Sequence, residues 1–132
     1  MPECHRLLAV AAQEGEIGRL AVGGEGAPIV VPVNFAIRDR QVLIRIGAGA
    51  LAEAAVGRLV AFETDHLDLT SGVAWSVLVR GLATVMEPAA MSPRHDPHPV
   101  VPTPGQTILV VRPDVLSGRR FVLTSDIPSE VV

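Results

Sequence analysis

Between residues 29 and 37 the chain repeats with a period of two. Ile29, Val31, Val33, Phe35 and Ile37 share one face, and Val30, Pro32, Asn34 and Ala36 share the other. Successive side chains of a strand point to opposite faces, so this spacing predicts a β-strand with one apolar side. Pro32 constrains it further. Proline has no N–H to give to a ladder, so the strand lies at a sheet edge there or is bulged.

Other segments read in the same way. Residues 2–13 predict a helix. Pro2 suits a first-turn position, Glu3 favours the positive end, Leu7, Leu8 and Ala11 form a short apolar stripe, and Gly15 ends it. Strands are expected over 17–22, 42–46, 59–65, 75–86 and 107–112, with a short last one over 119–123. Gly23 to Gly26 and Asp39-Arg40 read as turns, Glu87-Pro88 ends the long strand, and residues 91–105 form a proline-rich loop. Six or seven strands with two short helices predict one α+β domain, mainly β, built on a small antiparallel barrel. Closing such a sheet removes exposed edges.

A chain of 132 residues can bury a core without disulfide or metal staples, and 48% hydrophobic content predicts a folded one. Aromatics are 3% with no tyrosine, so that core must be aliphatic. The net charge is −3 and no basic stripe with interleaved aromatics is present, which argues against a nucleic-acid ligand. Cys4 is the only cysteine, so no internal disulfide forms, and a reducing compartment fits. The N-terminus has no basic region followed by an apolar run and a small-residue cleavage site, and no apolar run is long enough to span a membrane. A soluble cytoplasmic protein is expected.

The chemistry concentrates in Val42-Leu-Ile-Arg-Ile-Gly-Ala-Gly-Ala-Leu-Ala-Glu-Ala-Ala55. It reads as a strand, the glycine turn Gly47-Ala48-Gly49, and an alanine-rich helix. The unpaired backbone N–H groups and positive dipole end of such a helix start suit a phosphate. Arg45, on the face opposite Ile44 and Ile46, is either a phosphate ligand or a solvated strand arginine. Trp75, the sole tryptophan, either stacks on a ring system or fills the core or an interface.

Glu63 and Asp65 alternate along one face of a strand and read as a wet face rather than an acid–base pair. Ser71 and Ser76 have no evident His–Asp partners, so covalent catalysis has no support. His95 and His98 lie in a loop whose prolines break any helix that would align them, which reads as a solvated loop rather than a metal site. Cys4 reads as a small apolar residue, buried or half-buried.

Gly18-Arg-Leu-Ala21, Val30-Val-Pro-Val-Asn-Phe35, the strand leading to Gly47-Ala-Gly49 and its helix, Val60-Ala-Phe-Glu63, Trp75-Ser-Val-Leu-Val-Arg-Gly81 and Ser117-Gly-Arg-Arg120 follow in this order. Over residues 3–122 the series resembles the pyridoxamine 5′-phosphate oxidase-like family of flavin-binding split barrels, in its small bacterial branch. The resemblance implies an antiparallel split β-barrel that forms a homodimer, with FMN in a groove at the dimer interface. It implies that Val31, Pro32, Val33 and Asn34 run beside the flavin ring, that Arg45, Ile46, Gly47, Ala48, Gly49, Ala50 and Leu51 receive the phosphate, and that Trp75 and Ser76 lie near the ring or the ribityl chain.

Two departures stand out. Such proteins usually carry a threonine or serine, then a lysine or arginine, after the second glycine, where this chain has Ala50 and Leu51. They usually carry a tryptophan near a Pro-Gly, where this chain has Pro102-Thr-Pro-Gly105. The resemblance therefore implies an oxidoreductase of unknown substrate. Its alternatives are a non-catalytic dimer that has lost tight flavin binding and a relative that binds the deazaflavin F420.

Overall fold

The structure, a computed structural model, describes residues 2–47, 49–86 and 106–123. Helix α1 (Pro2–Gln13) is followed by strands β1 (Gly18–Val22), β2 (Ile29–Val33), β3 (Phe35–Arg38) and β4 (Gln41–Gly47). The short helix α2 (Ala50–Ala55) precedes β5 (Leu59–Asp68), β6 (Val73–Met86), β7 (Gln106–Val111) and β8 (Val115–Val122). All pairings are antiparallel, in the order β2-β1-β5-β6-β7-β4-β3, with β8 added on β6. The expected α+β class and split barrel are both present.

The strand expected over 29–37 is in fact two. Its first half, β2, pairs with β1 (Leu20 opposite Val31, Arg19 opposite Pro32), and its second half, β3, pairs with β4 (Phe35 opposite Ile44). The break falls at Asn34. The two ends of the strand path are thus consecutive in the chain, so one segment leaves one edge of the sheet and enters the other. Pro32 sits on edge strand β2, where its missing N–H costs no ladder bond. Burial follows the alternation only around the break: Val33 and Phe35 are buried, Val31 and Ile37 half-buried, and Ile29 exposed.

β6 makes the second corner. Residues 73–82 pair with β5, and residues 83–86 pair with β7. Gly81 permits the crossing, because a Cβ there would overlap the carbonyl of Arg112. The hairpin of β5 and β6 is longer than expected, reaching Asp68 and starting at Val73. Its turn is closed by Asp68 Oδ1, which accepts from the N–H groups of Thr70 (3.0 Å) and Ser71 (3.3 Å). The last strand is also longer than expected, since residues 115–118 lie along β6 opposite 77–80.

Cys4, Leu8 and Ala11 of α1 are buried together with Leu20, Phe35, Phe62, Val77 and Val79. Their spacing puts them on one face of the helix, which closes the barrel core. As expected the core is aliphatic; its one aromatic pair is Phe35 edge-on to Phe62, with ring centres 4.8 Å apart. Leu43, Ile108 and Val110, on the opposite side of β4 and β7, form a second small cluster.

Candidate functional site

The corner between β4 and α2 begins where the ladder ends at Gly47, opposite Gln106. Gly49 has φ 156° and ψ −160°, a backbone region open to glycine, and its carbonyl accepts the Glu53 N–H at 2.9 Å to start the helix. The N–H groups before Glu53 precede any i→i−4 partner within α2. A Cβ at Gly49 would meet no atom within 4 Å, so the space before the turn is open. Ala48 lies outside the described residues.

Arg45 is half-buried on the face of β4 opposite the buried Ile44 and Ile46, across from Ile108. The donors of this corner are therefore backbone amides and one guanidinium. Ala50 is exposed and Leu51 packs half-buried on the core, and neither adds a polar side chain.

The corner has a neighbour that the local sequence does not reveal. One step beyond the last β3–β4 pair, Phe35 opposite Ile44, Asn34 and Arg45 occupy corresponding positions. Segments 31–34 and 45–51 thus meet where the ends of the strand path meet. Of the first segment, Val33 is buried in the core, Val31 packs against it, Pro32 is exposed and Asn34 half-buried.

Trp75 and Ser76 do not join this site within one chain. Ser76 stands opposite Asp65 and Arg119, three strand spacings or roughly 14 Å from the Asn34 position. Trp75 points to the other face of the sheet, where its ring lies 6.1 Å from that of His66. It lines a cavity of about 240 Å³ between α1 and β8 with Cys4, Leu7, Gly118, Arg119 and Arg120. Arg120 Nη2 donates to Glu3 Oε1 across its rim at 2.6 Å.

A charged group beside Pro32 was missed in sequence. Arg19 of β1 stands between Pro32 and Glu63 in register, with Nη1 3.1 Å from Glu63 Oε1 and 3.5 Å from Asp65 Oδ2. Burial, followed by the neighbouring Asp65 charge, pushes the Glu63 carboxyl above its ordinary pKa, against the pull of Arg19. The alternation of Glu63 and Asp65 was visible in sequence, but the β1–β5 register that brings them Arg19 was not. His66 Nδ1 lies 2.9 Å from Glu16 Oε1.

Ser71 Oγ accepts the Val73 N–H at 3.3 Å, a turn-stabilising role. Among the described residues no group of His, Cys, Asp and Glu could hold a metal ion, and no helix is long and apolar enough to cross a membrane. His95, His98 and residues 102–105 lie outside the described residues.

Comparison with known proteins agrees with this architecture. The chain is 32% identical to an uncharacterised protein of Mycobacterium tuberculosis, over 96% of this chain and 86% of that one. It is 32% identical to the solved FAD-binding protein from Mycobacterium smegmatis, with a TM-score of 0.73 over 91% of this chain and 95% of that one. A Corynebacterium glutamicum structure, named as a candidate pyridoxamine 5′-phosphate oxidase, is 25% identical with a TM-score of 0.75, over 93% and 90% of the two chains. The model of the pyridoxamine 5′-phosphate oxidase family matches residues 2–120, nearly the whole barrel, and the chain belongs to that family.

Proposed function

We propose that this chain is a flavoprotein oxidoreductase that binds a flavin at the junction of segments 31–34 and 45–51, and that two copies complete the site. The observation that carries the reading is the β3–β4 register, which ends at Phe35 opposite Ile44 and so leaves the next residues, Asn34 and Arg45, at the same end of the ladder beside the open glycine corner. The donor set there suits a phosphate: backbone amides at a helix start and a half-buried guanidinium two residues before Gly47. The flavin would supply the electron or hydride transfer, while the protein binds and orients it. Pro32 and Asn34 would border the ring, and Trp75 and Ser76 would reach it from a second copy, since one chain holds them too far away. A cytoplasmic location fits the single, buried Cys4 thiol.

The FMN reading has a rival favoured by a specific observation. FMN ends in a phosphate monoester near two negative charges, and Ala50 and Leu51 give it no side-chain donor. In FAD the terminal monoester is replaced by a pyrophosphate whose two phosphates carry one charge each, and the adenosine adds contacts of its own. Such a cofactor depends less on the missing side chains, and the M. smegmatis relative is an FAD-binding protein.

Protein purified without added cofactor tests both readings. A yellow preparation with the absorbance of oxidised flavin is expected, and mass spectrometry of the released compound separates FMN, FAD and F420. A colourless protein that takes up none of them on titration would overturn the flavin reading and leave a non-catalytic dimer.

A further inference from the structure

At the opposite end of β4 from the glycine corner, roughly 20 Å away, three elements converge on another cavity. It measures about 280 Å³ and is lined by His5 of α1, Asp39 and Arg40 of the β3–β4 turn, and Arg112, Pro113 and Asp114 of the β7–β8 turn. Both turns are held by their backbones. Asp39 and Arg40 have φ 49° and 62°, the left-handed pair that a two-residue hairpin turn requires, reached here without glycine. The β7–β8 turn is pressed onto Gly81, with Arg112 N–H donating to the Leu82 carbonyl at 3.2 Å and Asp114 N–H to the Arg80 carbonyl at 3.0 Å.

The cavity holds two arginines and two aspartates, but the arginines are not paired within it. Arg19, Arg38 and Arg120 each face a carboxylate. Among the described residues neither the Arg40 nor the Arg112 guanidinium makes an ion pair or hydrogen bond. Asp39 Oδ2 lies 3.7 Å from Arg38 Nε, which offsets its charge. Arg40 and Arg112 thus line the cavity with Asp114 and a carboxylate, Asp39, that already faces Arg38. Burial, followed by the nearby Arg40 charge, holds the His5 pKa below its ordinary value.

We propose that this cavity binds a compact dianion, a phosphate group, between the Arg40 and Arg112 guanidiniums with His5 as a third contact. Two planar forks on separate rigid turns can each donate in bidentate fashion to a tetrahedral anion, and neither must leave another partner to do so. The site owes nothing to the flavin reading, since it uses no residue of the glycine corner.

Calorimetric titration of the protein at low salt with inorganic phosphate, and separately with phenyl phosphate, tests it. Both should bind; tighter binding of the ester assigns the site to phosphate monoesters, and equal binding to free phosphate. Arg112→Gln and Arg40→Gly should each weaken binding about ten-fold or more, while the exposed Arg58→Ala leaves it unchanged. Arg40→Gly also relieves the left-handed backbone, so a loss of binding with Tm held or raised cannot be blamed on misfolding. The His5 imidazole resonances should shift on titration, with an upward move of its pKa. Absence of binding, or affinities unchanged in both folded variants, would overturn the proposal.

Discussion

Arg19 and Glu63 face each other across the β1–β5 ladder at 3.1 Å, and the same guanidinium lies 3.5 Å from Asp65. One cation thus serves two carboxylates, and Glu63, the more buried partner, keeps a raised pKa. The sign follows directly. A carboxyl whose folded pKa exceeds its unfolded value costs stability once ionised; the cost is absent below the unfolded pKa and complete above the folded one. Glu63→Gln should therefore raise Tm relative to the parent at neutral pH, with the gain vanishing as pH falls below the ordinary carboxylate range. Thermal melts across pH decide this, and a pH-independent difference would contradict it.

Arg45 should matter to cofactor affinity and Arg58 should not. Removing a guanidinium from a phosphate should cost about 1.5–3 kcal/mol, or about ten-fold or more in Kd. Removing the exposed Arg58 should cost well under about 1 kcal/mol. Arg38, at the end of the β3–β4 hairpin, makes a poorer control, because it is half-buried with Nη1 3.9 Å from Met86 Sδ. Fluorescence titration of variants shown to be folded by circular dichroism gives the comparison; equal affinities would leave the backbone corner alone to hold the phosphate.

Restoring side-chain donors after Gly49 should tighten flavin binding. Ala50 is exposed, so Ala50→Ser adds a hydroxyl at no packing cost and should gain about 1 kcal/mol, several-fold in affinity. Leu51→Lys should gain about ten-fold through a charge-assisted contact. Leu51 packs against the core, so that variant should also lose about 1 kcal/mol of stability. Looser binding in both variants would show that the phosphate sits elsewhere.

The outer face of β1, β5 and β6 should be where two copies meet. Leu59 (74% exposed) and Val115 (45%) line a groove of about 610 Å³ with Ala21 and Ala61, and the exposed Val30 of β2 stands opposite Ala21. Projecting side chains beside a shallow trough of alanines suit self-complementary packing about a two-fold axis. Light scattering at micromolar concentration should return a dimer mass. Leu59→Asp should shift it to a monomer with unchanged circular dichroism; a parent protein that is already monomeric sinks the idea.

Much of the barrel can be read locally. The alternation around Phe35, the inward Ile44 and Ile46 against Arg45, the Asp39-Arg40 turn, the buried stripe of α1 and the Gly49 corner each depend on a few neighbouring residues. Periodicity, proline's missing N–H and backbone sterics act at that range, so the sequence by itself determined them. It also carried the family.

The pairing partners were decided by tertiary structure alone. A run with perfect period two gives no sign that its halves serve different neighbours, so the break at Asn34 was invisible. The polar Ser117-Gly-Arg-Arg120 stretch reads weakly as a strand until β6 lies beside it. The register that sets Arg19 against Glu63 joins residues 44 apart in the chain, and the one that sets Ser76 on β6, with two strands between it and β2, is equally non-local. Such contacts are selected by burying one common core, which no local pattern encodes.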